Sequence, residues 1–205
     1  MRRLSIMHID ALCLIHKLRG VTQNMVPPGA LLITKQYGRD PFLILVSCVL
    51  SLRTRDTVSV PASIRLFEHA KTPQELKKLS PECIQKLIYP VGFYRRKSVQ
   101  LLAIAEILLD KFNGQVPCAE HNLLSLPGVG RKTMNLVLAE GFGMPALCVD
   151  THVHRISNKL GIVHTKTPEE TEFALKALLP PEYWMEYSRL LVMWGQNRCL
   201  PGISL

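Results

Sequence analysis

The chain has 205 residues, of which 25 are Lys or Arg and 16 are Asp or Glu, giving a formal net charge of +9. Hydrophobic residues make up 47% of the chain, which excludes an intrinsically disordered protein and allows one domain or two small ones with real cores. The positive charge favours a polyanionic partner, nucleic acid before an anionic membrane.

Neither export nor membrane insertion is indicated. The longest apolar run, residues 42–52, is interrupted by serines and falls short of the roughly 20 residues that span a bilayer. Near the amino terminus, Arg2 and Arg3 are followed by His8 and Asp10, which break any hydrophobic region of a signal peptide. We therefore expect a soluble protein without a membrane partner, cytoplasmic and nucleoid-associated if the source is bacterial.

Helix signals dominate the first two thirds of the chain. Residues 72–75 read Thr-Pro-Gln-Glu, a capping box with proline at the first helical position, and Ser80-Pro81 repeats the start signal. From Leu101 to Leu109, leucine and alanine recur at helical spacing, and Asn113-Gly114 then gives a stop signal.

The same signals continue towards the carboxyl terminus. Residues 167–170 form a second capping box, and leucines from Leu175 to Leu179 keep helical spacing before Pro180-Pro181. No segment alternates with a period of two, as a half-buried strand would. The sequence therefore predicts an all-α fold of about a dozen short helices joined by tight turns.

Residues 126–132, Leu-Pro-Gly-Val-Gly-Arg-Lys, join a short apolar segment to a helix. We expect Gly128 and Gly130 to allow positive φ and to keep the backbone amides open, so that the turn and the next helix start bind an anion. A plain turn between helices is the alternative, but it explains one glycine rather than two. Residues 89–97 carry a weaker copy of this pattern.

Residues 126–133, followed by Val-Asp-Thr-His at 149–152, resemble the helix–hairpin–helix DNA glycosylases, and within them the endonuclease III-like proteins. The hairpin alone would indicate only a contact to the DNA backbone, whereas the hairpin, the lysine and the distant aspartate together are specific. The resemblance runs from about residue 40 to about residue 199 and includes three further segments, residues 50–56, 91–94 and 112–117.

The resemblance implies an all-α, two-lobed fold with the active site in the cleft between the lobes. A central helical domain with the helix–hairpin–helix motif would span residues 34–144. Residues 1–33 and 145–205 would form the second helical domain. The implied function is base-excision repair of oxidised pyrimidines in double-stranded DNA, by a monomeric glycosylase that also cleaves abasic sites.

Lys132 and Asp150 match the family's catalytic positions. Lys132 would attack C1′ of the damaged nucleotide and form a Schiff base, and β-elimination would then cut the strand. Asp150 would position or deprotonate the amine and stabilise positive charge on the sugar. The positive end of the helix dipole, with partial burial, would favour a neutral amine. Phosphate binding by Lys132 and helix capping by Asp150 are the alternatives.

The DNA-backbone contacts implied by the motif are Gly128, Val129, Gly130, Arg131, Thr133 and His152. Base flipping leaves a gap in the stack that inserted side chains fill. The family inserts from two loops, which match residues 52–55 and 92–94, so Arg53 and Phe93 are the candidates. Their alternatives are a surface phosphate contact for Arg53 and core packing for Phe93. The family more often has glutamine and leucine at these places.

The six cysteines contain no Cys-x-x-Cys pair: Cys13, Cys48, Cys83, Cys118, Cys148 and Cys199. Most lie in apolar contexts, so we expect buried, reduced thiols. Endonuclease III-like chains normally hold a [4Fe–4S] cluster on four C-terminal cysteines, of which only Cys199 has a counterpart here. A lone thiolate cannot hold such a cluster, so we predict no cluster and no other cofactor, with Cys199 as a remnant.

His152 and His154 form an H-x-H pattern that invites a zinc hypothesis. No cluster of Cys, His or acidic residues completes four ligands, so we interpret His152 as a structural or phosphate-contacting residue and predict no metal site.

Two further hypotheses remain open. The missing cluster ligands are also consistent with a catalytically weak or inactive protein that uses the hairpin only to bind DNA. A glycosylase for mismatched or alkylated bases would keep the fold and change only the pocket.

Overall fold

The computed structural model describes residues 10–198, and every regular element in that range is helical. The chain divides into two compact units, one spanning Pro28–Met144 and one formed by Met1–Pro27 with Pro145–Leu205. Residues 28–33, which the sequence analysis assigned to the second domain, lie in the larger unit because they begin its first helix. Within the described range, no helix has the length and apolar character needed to cross a membrane.

The larger unit is built around one helix that is buried on all sides. Its elements are α2 (Gly29–Tyr37), α3 (Pro41–Ser51), α4 (Asp56–Phe67), α5 (Pro73–Lys77), α6 (Pro81–Ile88), α7 (Tyr94–Phe112), α8 (Glu120–Leu124), α9 (Arg131–Leu136) and a π-helical segment (Val137–Gly141). Every residue of α3 from Phe42 to Leu50 is buried. The Asp40 carboxylate starts this helix by accepting hydrogen bonds from the amides of Phe42 and Leu43, at 2.9 and 3.0 Å.

The predicted helix starts are confirmed. The hydroxyls of Thr72, Ser80 and Thr167 each accept a hydrogen bond from the amide three residues later, at 3.1–3.2 Å. The Glu75 and Glu170 carboxylates accept the amides of the residues that precede the caps, Lys71 and Lys166. Each start therefore satisfies donors that a helix otherwise leaves without partners.

The π-helical segment is held close to α3. A Cβ atom on Gly141 would lie 2.8 Å from Cα of Pro41, so only glycine lets the two backbones approach this far. Glu140, in the same segment, is only 2% exposed and is the one buried carboxylate among residues 28–144.

Over its described residues, 10–27 and 145–198, the smaller unit packs four helices around its own apolar core. These are α1 (Ala11–Thr22), α10 (Thr151–Lys159), α11 (Pro168–Leu178) and α12 (Pro181–Asn197). The Tyr187 side chain is fully buried in this core, and its hydroxyl lies 2.8 Å from Oγ of Ser157. Burial raises the pKa of Tyr187 to about 12, since the charged form would lose its hydration.

The expectation of buried cysteines is only partly confirmed. Cys48 and Cys148 are buried, but Cys13 and Cys118 are exposed and Cys83 is half-buried. An apolar neighbourhood in sequence does not fix burial, because one face of each of these helices or turns points to solvent. Cys199 lies outside the described residues.

Candidate functional site

The predicted hairpin forms between α8 and α9. Gly128 has φ +72°, the left-handed conformation expected for glycine in such a turn. For Gly130 the expectation of positive φ is wrong, since its φ is −101° and it serves as the N-cap of α9. Glycine is acceptable at that position because an N-cap lies outside helical geometry.

The two glycines differ in their surroundings as well. Nε2 of Gln100, on α7, donates a 2.7 Å hydrogen bond to the carbonyl of Pro127, and a Cβ atom on Gly128 would collide with this amide. A Cβ atom on Gly130 would meet nothing within 4 Å. Val129, between them, is 6% exposed and anchors the turn in the core. The Gln100 side chain therefore fixes the turn at Gly128, whereas the space beside Gly130 is open.

Lys132 lies in the first turn of α9, and its residue is exposed. The residue as a whole is thus exposed, whereas partial burial was expected from the sequence. Helix α9 packs against α3, and the charge of Lys132 is felt there: burial raises the pKa of the Cys48 thiol to about 12, and the positive charge of Lys132 partly opposes this. Thr133 is buried and supports the turn from inside, while Arg131 is half-buried.

Asp150 is the N-cap of α10. Its Oδ1 atom accepts hydrogen bonds from the amides of His152 and Val153, both at 2.9 Å. The capping interpretation is thus confirmed. Both capping bonds use Oδ1, so the cap itself makes no demand on Oδ2 of this half-buried carboxylate.

His152 and His154 face different surroundings. Within residues 10–198, the buried Nδ1 atom of His152 has no hydrogen-bond partner, and Gly195 packs directly against this ring. Nδ1 of His154 lies 2.7 Å from Oγ1 of Thr171. The His152 ring therefore packs against α12, whereas the His154 ring contacts α11.

The described residues do not fit the family's iron–sulfur cluster. In residues 10–198, no three His, Cys, Asp or Glu side chains lie together as a metal site requires, and the five cysteines are spread over both units. A [4Fe–4S] cluster needs four convergent thiolates. Cys199, the predicted remnant of that site, lies outside the described residues.

The two candidate insertion residues share an unusual backbone conformation. Arg53 has φ +53° and Phe93 has φ +59°, and both are exposed. The Phe93 side chain is 62% exposed, so its alternative assignment to the core is wrong. In the weaker copy of the hairpin, the left-handed residue is thus Phe93 rather than the preceding Gly92. Non-glycine residues rarely adopt this conformation, which concentrates at functional positions.

A buried lysine lies beneath these loops. Lys97, on α7, is 4% exposed and donates from Nζ to the carbonyls of Leu50 and Leu52, at 2.8 and 2.6 Å. Burial lowers the pKa of Lys97 to about 8. The sequence analysis missed this residue by including it in a basic helix start. A signal was present, since Lys97 precedes Leu101 and Ile104 at i, i+4 and i+7, on the buried face of α7.

Comparison with known proteins matches this arrangement to one family. The model of the HhH-GPD superfamily of base excision DNA repair proteins matches residues 46–181. Endonuclease III of Thermotoga maritima is 54% identical over 162 residues, which cover 79% of this chain and 76% of the relative.

Two solved structures share the fold. A non-covalent endonuclease III–DNA complex superposes with a TM-score of 0.83 at 30% identity, covering 98% of this chain and 90% of that one. A trapped endonuclease III–DNA covalent intermediate gives a TM-score of 0.81 at 30% identity, with 95% and 90% coverage. The chain belongs to the HhH-GPD superfamily of base excision DNA repair proteins, as an endonuclease III-like DNA glycosylase.

Proposed function

We propose that the protein is a bifunctional glycosylase and abasic-site lyase that removes oxidised pyrimidines from double-stranded DNA. The observation that carries this proposal is an exposed lysine in the first turn of the helix that follows an open glycine hairpin. The trapped covalent intermediate of a structurally similar endonuclease III supports the same chemistry.

In the proposed reaction, the neutral amine of Lys132 attacks C1′ and the bond from C1′ to the base breaks, so that the base leaves with the bonding electrons. Opening of the sugar ring then gives an imine between Nζ and C1′. Loss of a C2′ proton expels the 3′ phosphate by β-elimination, and water releases the enzyme. Lys132 thus acts as nucleophile and electron sink in succession.

The helix start suits a phosphate of the bound DNA, because the positive end of the helix dipole stabilises an anion in the first turn. Asp150 is proposed to accept the amine proton and to stabilise positive charge on the sugar, through the oxygen that the cap leaves available. Gly128, Val129, Gly130, Arg131, Thr133 and His152 are proposed to form or support the backbone contacts.

Borohydride trapping on an abasic duplex tests the nucleophile. We expect a covalent adduct with the wild-type protein and none with Lys132→Ala. Arg131→Ala is the matched control, since it removes the neighbouring positive charge and leaves the amine. Salt-sensitive DNA binding without any adduct would instead support the second candidate, a binding protein, which the poor fit to the family's cluster favours.

A panel of duplexes with single lesions tests the substrate class. We expect excision of oxidised pyrimidines and little excision of mismatched or alkylated bases. The opposite ranking would keep the lyase chemistry and overturn the proposed substrate.

We also propose that the protein acts as a monomer without an iron–sulfur cluster. The distribution of the described cysteines supports the second part of this proposal, because it brings no set of thiolates together in residues 10–198, while the monomer follows from the family resemblance alone. Purified protein should show no broad visible absorption band and no bound iron. Active protein with stoichiometric iron would contradict the proposal.

A further inference from the structure

Lys97 joins two loops that the sequence keeps about 40 residues apart. Its Nζ atom contacts the carbonyls of Leu50 and Leu52, at the end of α3, and Oγ1 of Thr54 at 3.3 Å. The last carbonyls of a helix have no partner within the helix, so an ammonium beneath them satisfies two acceptors at once.

The Thr54 hydroxyl continues this connection to the second loop. It donates to the carbonyl of Leu52 at 3.3 Å and accepts the amide of Gly92 at 3.1 Å. A Cβ atom on Gly92 would lie 3.0 Å from the carbonyl oxygen of Arg53, so the two loops touch at this point. Lys97, Thr54 and Gly92 therefore form one continuous tie, which we call the loop clamp.

The two exposed side chains stand directly on this clamp. Arg53 precedes Thr54, Phe93 follows Gly92, and both have positive φ. A non-glycine residue in this conformation is strained and persists only where its surroundings fix it. The hydrogen bonds of the Thr54 hydroxyl to Leu52 and to Gly92 supply that constraint, because they fix the residues next to Arg53 and Phe93.

We propose that Lys97 is a positioning residue that holds the loops of Arg53 and Phe93 as one preformed element for insertion into the base stack. The inference rests on the proposed function, because it assigns these side chains to a DNA duplex. It adds that their spacing is set before DNA binds, by a group that does not touch the DNA.

The chemistry of the site supports a positional role. Burying an ammonium is costly, and its pKa is lowered here for that reason. A methionine of similar length would fill the same space without that cost. A methionine, however, would remove the donor to the Leu50 carbonyl and leave the Leu52 carbonyl with the Thr54 hydroxyl alone, so the link between α7 and the first loop would be lost.

Two sets of variants test the clamp. Lys97→Met removes the donor, while Thr54→Val removes the hydroxyl at nearly constant volume, and Thr54→Ser is its matched control because it keeps the hydroxyl. Chemical denaturation identifies any variant that fails to fold. If Lys97→Met does not fold, the threonine pair still tests the proposal.

Two substrates separate positioning from general damage. An abasic site in a duplex requires side-chain insertion, whereas one in a single strand has no stack to fill. We expect Lys97→Met and Thr54→Val to slow single-turnover cleavage of the duplex roughly 10–100-fold, as a misplacement of about 1 Å does. Borohydride trapping on the single strand should be unchanged, and Thr54→Ser should behave as the wild type on both.

A readout without catalysis completes the test. 2-Aminopurine opposite the abasic site becomes fluorescent when it is unstacked on binding, and we expect this signal to fall in Lys97→Met and Thr54→Val. An equal loss on duplex and single strand, or an unchanged fluorescence signal, would overturn the clamp. Failure of the wild-type protein to form any adduct would instead overturn the proposed function, and the fluorescence comparison would still decide the clamp.

Discussion

Gly128 and Gly130 stand on either side of one buried valine, yet the backbone uses them differently. Gly128 needs positive φ and leaves no room for a side chain beside Gln100, whereas Gly130 has ordinary φ and open space. The first glycine is therefore required by the turn itself. The second is acceptable as the N-cap of α9, and a phosphate approaching its open amide is the proposed reason for a glycine there.

Substituting each glycine by alanine separates these two explanations. Gly128→Ala should lower the free energy of unfolding by about 1–2 kcal/mol, since it forces a left-handed alanine. Gly130→Ala should change stability by no more than about 0.5 kcal/mol, because its Cβ atom meets nothing. Urea denaturation measures both changes.

DNA binding by the same pair distinguishes a phosphate cradle from a plain turn. If a phosphate approaches the amides at Gly130, Gly130→Ala weakens binding to an abasic duplex although the fold keeps its stability. Unchanged affinity would support the plain turn.

The sequence drew attention to polar residues within a local motif more readily than to polar residues that are buried by tertiary contacts. The motif led to Lys132 and Asp150, and the capping alternative for Asp150 was visible from its position before a helix. Lys97 was missed because a run of three basic residues resembles a solvated face. Its hydrogen bonds to Leu50 and Leu52 depend on tertiary contacts that no local pattern encodes.

The π-helical segment and α3 come so close together at Gly141 that their backbones leave no room for a side chain there. The spacing of Met134, Val137 and Leu138 predicts a continuous α-helix after the hairpin. The structure instead gives α9 and then a π-helical segment. Helical periodicity is too coarse to locate this change, because an apolar stripe with i, i+3 and i+4 spacing remains buried in both geometries.

Gly141→Ala tests the close contact between the π-helical segment and α3. Its Cβ atom would press against the Pro41 backbone, and overpacking of this kind costs about 1–3 kcal/mol. Gly20→Ala, within α1, is the control: its Cβ atom meets nothing, so it should stabilise the protein by about 0.5–1 kcal/mol. Thermal unfolding should move in opposite directions for the two variants, and a stabilising Gly141→Ala would refute the tight crossing.

Tyr187 and Ser157 connect α12 to α10 through buried hydroxyls. Burial raises the pKa of Tyr187 to about 12, above its ordinary value near 10. Between these values the unfolded chain has lost the phenol proton and the folded chain has kept it. Stability from this group is therefore complete below pH 10 and is lost as the pH rises through 12.

A comparison with Tyr187→Phe isolates this effect. Between pH 10 and pH 12 the wild-type free energy of unfolding should fall faster than that of the variant, by up to about 1.4 kcal/mol per pH unit. Denaturant titrations at several alkaline pH values measure the difference in slope. Parallel curves would show that the phenol reaches water in the folded protein.

The net charge of the whole molecule predicts how its affinity for DNA changes with salt concentration. A net charge of +9 implies that binding releases counterions from the duplex. The logarithm of the affinity should therefore fall linearly with the logarithm of salt concentration. Arg131→Ala should reduce that slope by about one unit if the residue contacts a phosphate. A slope unaffected by this change would place Arg131 away from the DNA backbone.

The all-α fold and the family could be predicted from sequence because capping boxes and the hairpin motif are local. The boundary before α2 was placed too late, since Pro27 and Pro28 end one unit and begin the next without any change in composition. The sequence also could not show that Lys132 is exposed, because exposure depends on the side of α9 that packs against α3.

The central claim is that Lys132 forms the covalent bond to the sugar. After borohydride reduction of the wild-type adduct on an abasic duplex, proteolysis and mass spectrometry locate the modified residue. We expect a deoxyribose remnant on Nζ of Lys132. A remnant on another lysine or on the amino terminus, or the absence of any remnant, would contradict it.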